Sequence, residues 1–189
     1  MNKVLIVCSS EKGIKVYSDN IRSIGYTNIE TVSNSQVARR KLIEDEFDLI
    51  VIDTPLKDEY GTDLAIKMTT KGSVGVILVV KSVEADMISA KVEEYGVFVI
   101  PKPFTKQIFY QGVKFVATSL RRFNKLNDEK SKLLKKVEDI KRIDRAKCLL
   151  IENSNFTENS AHRYIEKEAM DNRVSKREIA DKIINYFEV

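Results

Sequence analysis

Five short apolar runs, each followed by a longer stretch with helical spacing, constrain this chain more than anything else in it. The runs are Lys3–Cys8 (KVLIVC), Asn28–Val32 (NIETV, the weakest), Asp48–Asp53 (DLIVID), Val74–Val80 (VGVILVV) and Val97–Pro101 (VFVIP). Their apolar residues are continuous rather than alternating, which is the pattern of strands covered on both faces, as in a parallel sheet. Between and after them, residues 12–25, 34–46, 62–70, 83–94 and 105–120 carry helical periodicity. Five strand–helix units with right-handed crossovers predict an α/β fold, a doubly wound five-stranded parallel sheet. In such sheets ligands meet the carboxyl ends of the strands. Cys8, Asp53, Val80 and Lys102 are therefore expected to converge there.

Beyond residue 120 the character changes. Residues 121–147 (RRFNKLNDEKSKLLKKVEDIKRIDRAK) lack Pro and Gly and are rich in helix formers. They hold 11 basic and 5 acidic side chains, against 15 and 15 in residues 1–120 and 6 and 8 in residues 148–189. The chain's net charge of +4 is thus concentrated in one segment, which suits a polyanion partner or a solvated helix. A heptad reading places Val116, Phe123, Lys130, Val137 and Asp144 at one seam position and Ser119, Leu126, Leu133 and Ile140 at the other. This predicts a dimeric coiled coil with two polar interruptions, or a single linker helix.

The last forty-odd residues predict a small three-helix unit. Thr157 can cap a helix to about Asp171 that buries Ala161, Tyr164, Ile165 and Ala169. Ser175 and Glu178 form a capping-box pattern ahead of Ile179, Ala180, Ile183, Ile184 and Phe187.

Several classes are excluded or disfavoured. No apolar run approaches the ~18–20 residues that cross a bilayer, and Val4–Cys8 is too short for a secretory signal. Cys8 and Cys148 stand far apart and fit neither a disulfide framework nor a metal knuckle, so reduced thiols and a cytoplasmic location are expected. His162, the only histidine, has no Cys or Ser partner at motif spacing and is expected on the surface. No catalytic constellation appears, and the chain is not expected to be an enzyme.

Two resemblances follow from these residues. DLIVIDTPLKDEYG, the Val74–Lys81 strand and PKPF at 101–104 resemble a response-regulator receiver domain over roughly residues 1–120, which implies the flavodoxin-like fold. Asp53 matches the family's phosphate-accepting aspartate, Lys102 its lysine and Gly61 the glycine of the following loop. The Lys102–Pro103 bond is cis in receivers. Receivers also carry two acids after the first strand that hold Mg²⁺, where this chain has Cys8 and Ser9. A thiol and a hydroxyl are poor ligands for a hard cation, so Mg²⁺ and any other cofactor are not expected. Val80 stands where receivers place Thr or Ser against the phosphoryl group, and Phe98 replaces the switch Tyr. The pocket reads as degenerate, with Asp53 and Lys102 as a residual ion pair. The alternative is a phosphorylation-activated two-component switch.

AKCLLIENSNFTENSAHRYIEKEAMDNRVSKREIADKII resembles an ANTAR domain, an antiterminator RNA-binding module, over about residues 130–187. The shared positions are Ala146, Lys147, Leu150, Ala161, Tyr164, Ala169, Met170 and Ala180, while Cys148 and Ile151 depart from the usual Gly and Met. The expected domains are a receiver-like unit at 1–120, a helical linker at 121–145 and an ANTAR unit at 130–189 that shares its first helix with the linker. The resemblance implies a dimeric antitermination regulator that binds stem–loops in a nascent transcript, controlled by a ligand-sensing or histidine-kinase partner, with no membrane partner. Candidate RNA contacts are Lys147, Arg163, Lys167, Arg173, Lys176 and Arg177. Lys176 and Arg177 also stand at a helix start, where backbone N–H groups attract phosphate. Arg163 and Lys167 could instead pair with Glu158, Glu166 or Glu168. The alternative is a DNA-binding helix-turn-helix built from helices 157–171 and 175–187.

Overall fold

A computed structural model describes residues 3–70 and 74–188. The chain divides into two compact units, Met1–Asn124 and Lys125–Val189.

The first unit is built on strands β1 (Lys3–Val7), β2 (Asn28–Val32), β3 (Leu49–Asp53), β4 (Gly75–Lys81) and β5 (Phe98–Lys102). All pair in parallel in the order β2-β1-β3-β4-β5. Helices α1 (Glu11–Ser23), α2 (Ser35–Glu44), α3 (Thr62–Thr70) and α4 (Ala85–Val92) alternate with the strands, with short 3₁₀ turns on either side of α4. Helix α5 (Lys106–Ser154) follows β5 and runs unbroken for 49 residues.

Strand alternation divides the interior into two cores. Leu5, Val7, Ile50, Ile52, Leu78 and Val80 face one side, where Leu64, Ile88 and Val92 pack. Val4, Ile6, Cys8, Leu49, Val51, Ile77, Val79 and Ile100 face the other, with Tyr17, Ile21, Phe109, Val113 and Val116. Most of these side chains are fully buried, each worth about 1.5–3 kcal/mol relative to exposure. This double burial is why the runs read as continuous.

Local chemistry sets the helix starts. The Ser10 hydroxyl accepts from the Gly13 N–H at 3.3 Å, and the Asn34 side-chain Oδ1 accepts from the Val37 N–H at 2.9 Å. Gly61 sits at φ +105° with 3.1 Å between an added Cβ and Ile52, so the turn after β3 needs glycine.

The second unit comprises the later part of α5, α6 (Glu158–Asn172) and α7 (Lys176–Glu188). Both expected caps are present. Thr157 and Ser160 cap α6 reciprocally. The Ser175 N–H and hydroxyl donate to Glu178 Oε1 at 3.2 and 2.8 Å, and Glu178 N–H donates back at 3.2 Å. Ala146, Leu149, Leu150, Ala161, Ile165, Ala169, Ile179, Ala180, Ile183 and Ile184 form the core. Tyr164 departs from expectation: it is 39% exposed and packs edge-on against Phe156, with ring centroids 5.4 Å apart. Ala161, Ile165 and Ala169 repeat every four residues, and Tyr164 falls at the margin of that stripe.

Candidate functional site

Asp53 closes β3, and its side chain is turned to the same face as Cys8 and Ile100. Lys102, ending β5, donates from Nζ to Asp53 Oδ1 at 2.5 Å and to the Thr54 carbonyl at 2.6 Å. The Cys8 thiol lies 3.2 Å from Asp53 Oδ2 and 3.4 Å from the Ser10 carbonyl. Each carboxylate oxygen thus has a donor, and the Asp53 side chain is only 15% exposed. Burial, together with the adjacent Asp53 carboxylate, pushes the Cys8 thiol up to about 11, so it stays protonated and donates. Lys102–Pro103 is cis, as is Thr54–Pro55.

Cys8, Asp53 and Lys102 therefore come together. Ser9 does not join them, because its hydroxyl donates to the Ser33 carbonyl at 3.3 Å. Val80 does not join them either. It packs in the opposite core, and the alternation of β4 corrects the expectation that it lines this pocket.

Two pocket residues were not foreseen. Tyr17 projects from α1 beside Asp53, stacks on Phe104 with ring centroids 5.9 Å apart, and has its hydroxyl pKa raised by burial and by the carboxylate. Gly13 lets the first turn of α1 settle on the pocket, since a Cβ there would lie 2.6 Å from Cys8 Sγ and 3.4 Å from Asp53 Oδ2. Gly13, Tyr17 and Ile21 are spaced by four, and a glycine and a hydroxyl on that otherwise apolar face were the available signal.

The loop after Asp53 is tied down at three successive residues. Asp58 accepts from the Ser35 and Gln36 N–H groups and the Ser35 hydroxyl at 2.9–3.1 Å, which lowers its pKa to about 2. Glu59 takes both contacts of its carboxylate from Arg39 at 3.0 Å, and the Tyr60 hydroxyl donates to Glu84 at 2.6 Å.

In the second unit the six candidate cations separate. Lys147 donates to Glu158 at 2.6 Å and pairs with Asp144 at 2.8 Å. Lys176 pairs with Glu166. Arg177 reaches Asp139 at 2.7 Å, Glu138 at 3.0 Å and Asp181 at 3.5 Å. Arg163, Lys167 and Arg173 are exposed and have no acidic partner within 4.0 Å among the described residues. His162 lies on the surface with Nε2 3.3 Å from Glu166.

The family model of the response regulator receiver domain matches residues 4–114, more than half of the sequence. The chain belongs to the response regulator receiver family. A second family model, the ANTAR domain, matches residues 131–184. This response regulator therefore carries a receiver domain and a C-terminal ANTAR domain. The transcriptional regulatory protein PdtaR of Mycobacterium tuberculosis (strains CDC 1551 / Oshkosh and H37Rv) is 22% identical over 167 residues, 88% of this chain and 82% of that protein. The signal receiver domain of an HD domain-containing protein from Pseudomonas fluorescens Pf-5 superposes with a TM-score of 0.58 at 17% identity, covering 66% of this chain and 92% of that one. A response regulator receiver domain protein from Clostridium thermocellum gives 0.57 at 16% identity, covering 64% and 98%. These structural likenesses establish the receiver fold. Among the described residues no helix is long and apolar enough to cross a membrane.

Proposed function

We propose that this response regulator is a cytoplasmic, non-enzymatic antitermination regulator whose ANTAR unit binds stem–loop RNA and whose receiver works without conventional phosphorylation. The ANTAR match over 131–184 carries the RNA half of the reading, because the unit presents exposed cations suited to phosphates and loop bases.

The receiver half rests on the chemistry around Asp53. Mg²⁺ needs several hard oxygen ligands. The donors here are a thiol, a hydroxyl committed to Ser33, and a carboxylate whose two oxygens already face Lys102 and Cys8. The residues do not fit the cation, and without it phosphoryl transfer loses its main charge neutraliser. Control then reaches the receiver through a partner protein rather than through a phosphoryl group.

A second copy of the chain suits α5. Leu126, Leu133, Val137 and Ile140 fall on the heptad seam and are each about half exposed, an apolar stripe for parallel pairing. Two ANTAR units on one dimer would hold paired stem–loops at high effective concentration.

Gel shifts at equal salt with a two-hairpin RNA and a duplex DNA test the RNA reading. RNA is expected to bind more tightly, and tighter DNA binding would favour a helix-turn-helix regulator. Beryllofluoride with Mg²⁺ tests the receiver reading: no change in sedimentation is expected, and a change abolished by Asp53→Asn would establish a phosphorylation switch.

A further inference from the structure

We propose that RNA lies along the outward stripe of α6, with Arg163 and Lys167 holding its phosphates, and that Arg177 positions α7 instead of touching RNA. This rests on the reading of the unit as RNA-binding. The argument is the division of charge around α6. The helix buries Ala161, Ile165 and Ala169 at four-residue steps. Two of its acids are neutralised by cations of the neighbouring helices: Glu158 by Lys147 and Glu166 by Lys176, with His162 also 3.3 Å from Glu166. Arg163 and Lys167 stand one turn apart on the side away from the buried stripe. Both are exposed, and among the described residues neither has an acid within 4.0 Å. Met170 follows on the same stripe and is 78% exposed, an unbranched apolar side chain that a splayed base or a sugar can cover.

The start of α7 offers the opposite environment. Its N–H groups would attract phosphate, but Arg177 is held by Glu138 and Asp139 of α5 and by Asp181 of α7. Glu178 closes the same turn by capping Ser175. A phosphate arriving there would meet four carboxylates and would have to displace three of them. The guanidinium fork instead fastens the first turn of α7 to α5, which makes Arg177 a positioning residue.

The test uses the full-length chain. Paired RNA stem–loops with randomised loops are enriched against the wild type, and the enriched RNA is titrated over a range of salt. Arg163→Gln/Lys167→Gln is expected to weaken binding at least tenfold. It should also flatten the logarithmic salt dependence by about 0.7–0.9 per cation removed, with melting unchanged. Arg177→Gln is expected to lower the melting temperature while leaving the salt dependence of the folded protein, measured well below that melting point, unchanged. Arg177→Lys, which keeps the charge but loses the fork, should melt between the two. The assignment is overturned if Arg177→Gln flattens the salt dependence, or if the Arg163/Lys167 variant binds as the wild type does. Failure of the wild type to enrich any RNA would remove the RNA reading itself, an outcome distinct from either.

Discussion

The Asp53 pocket and the Arg177 clasp both join one cation to carboxylate chemistry, yet their surroundings differ. Lys102 and Asp53 stand at the ends of two strands of the sheet, 29% and 15% exposed, with the Cys8 thiol also hydrogen-bonded to the carboxylate and Tyr17 beside it. Arg177 has three acidic partners, but those partners are 37–58% exposed. The structural weight of an ion pair follows enclosure more than partner number, because water screens well-exposed carboxylates more fully than the half-enclosed Asp53. In the ANTAR unit, stability comes from the core under the clasp. In the receiver, the pocket's charges sit at the edge of the core, against buried Cys8 and Tyr17.

The largest expected effect isolates that core. Ile165→Ala should cost about 3 kcal/mol and selectively unfold the ANTAR unit, seen as loss of helical signal while amide protection of β1 and β3 persists. Next is Lys102→Met, expected to cost about 2 kcal/mol by leaving the Asp53 carboxylate without its cation. Asp53→Asn added to it should restore part of the loss in denaturant melts, and a purely additive double mutant would break the comparison. Arg177→Gln should shift melting least of these three substitutions, and an effect matching Ile165→Ala would contradict the screening argument.

Two pH effects sharpen the picture further. The Cys8 thiol is raised from 9.0 to about 11, so its contribution is fully present below pH 9 and is lost as pH rises through 11. Its alkylation in the folded chain should lag behind that of exposed Cys148 across this range. Asp58 is lowered from 3.8 to about 2, so its contribution is present above pH 3.8 and fades as pH falls through 2. Asp58→Asn should flatten the acid limb of the stability curve over that interval.

Strand content was legible because double burial leaves an unmistakable run of apolar residues, as in VGVILVV and DLIVID. The helix caps at Thr157 and Ser175 were legible because they depend on neighbours three residues away. The convergence of Cys8, Asp53 and Lys102 followed from strand order. What could not be read was direction. Val80 lies near the end of β4 yet faces the other core, and Tyr17 reaches Asp53 from a helix whose rotation the sequence leaves open. The pairing of Arg177 with residues 38 and 39 positions earlier in the chain is likewise a product of helix packing, invisible to local charge patterns.

The three consecutive tethers at Asp58, Glu59 and Tyr60 give the receiver a built-in gauge. The amides of Ser35 and Gln36 on α2 are hydrogen-bonded by a carboxylate of the loop that follows Asp53. Any event that shifts this loop must break those bonds, and the two N–H groups would then exchange with solvent faster. A pair of isotope-labelled amides on a neighbouring helix would thus report whether the loop has moved, without a probe placed in the loop itself.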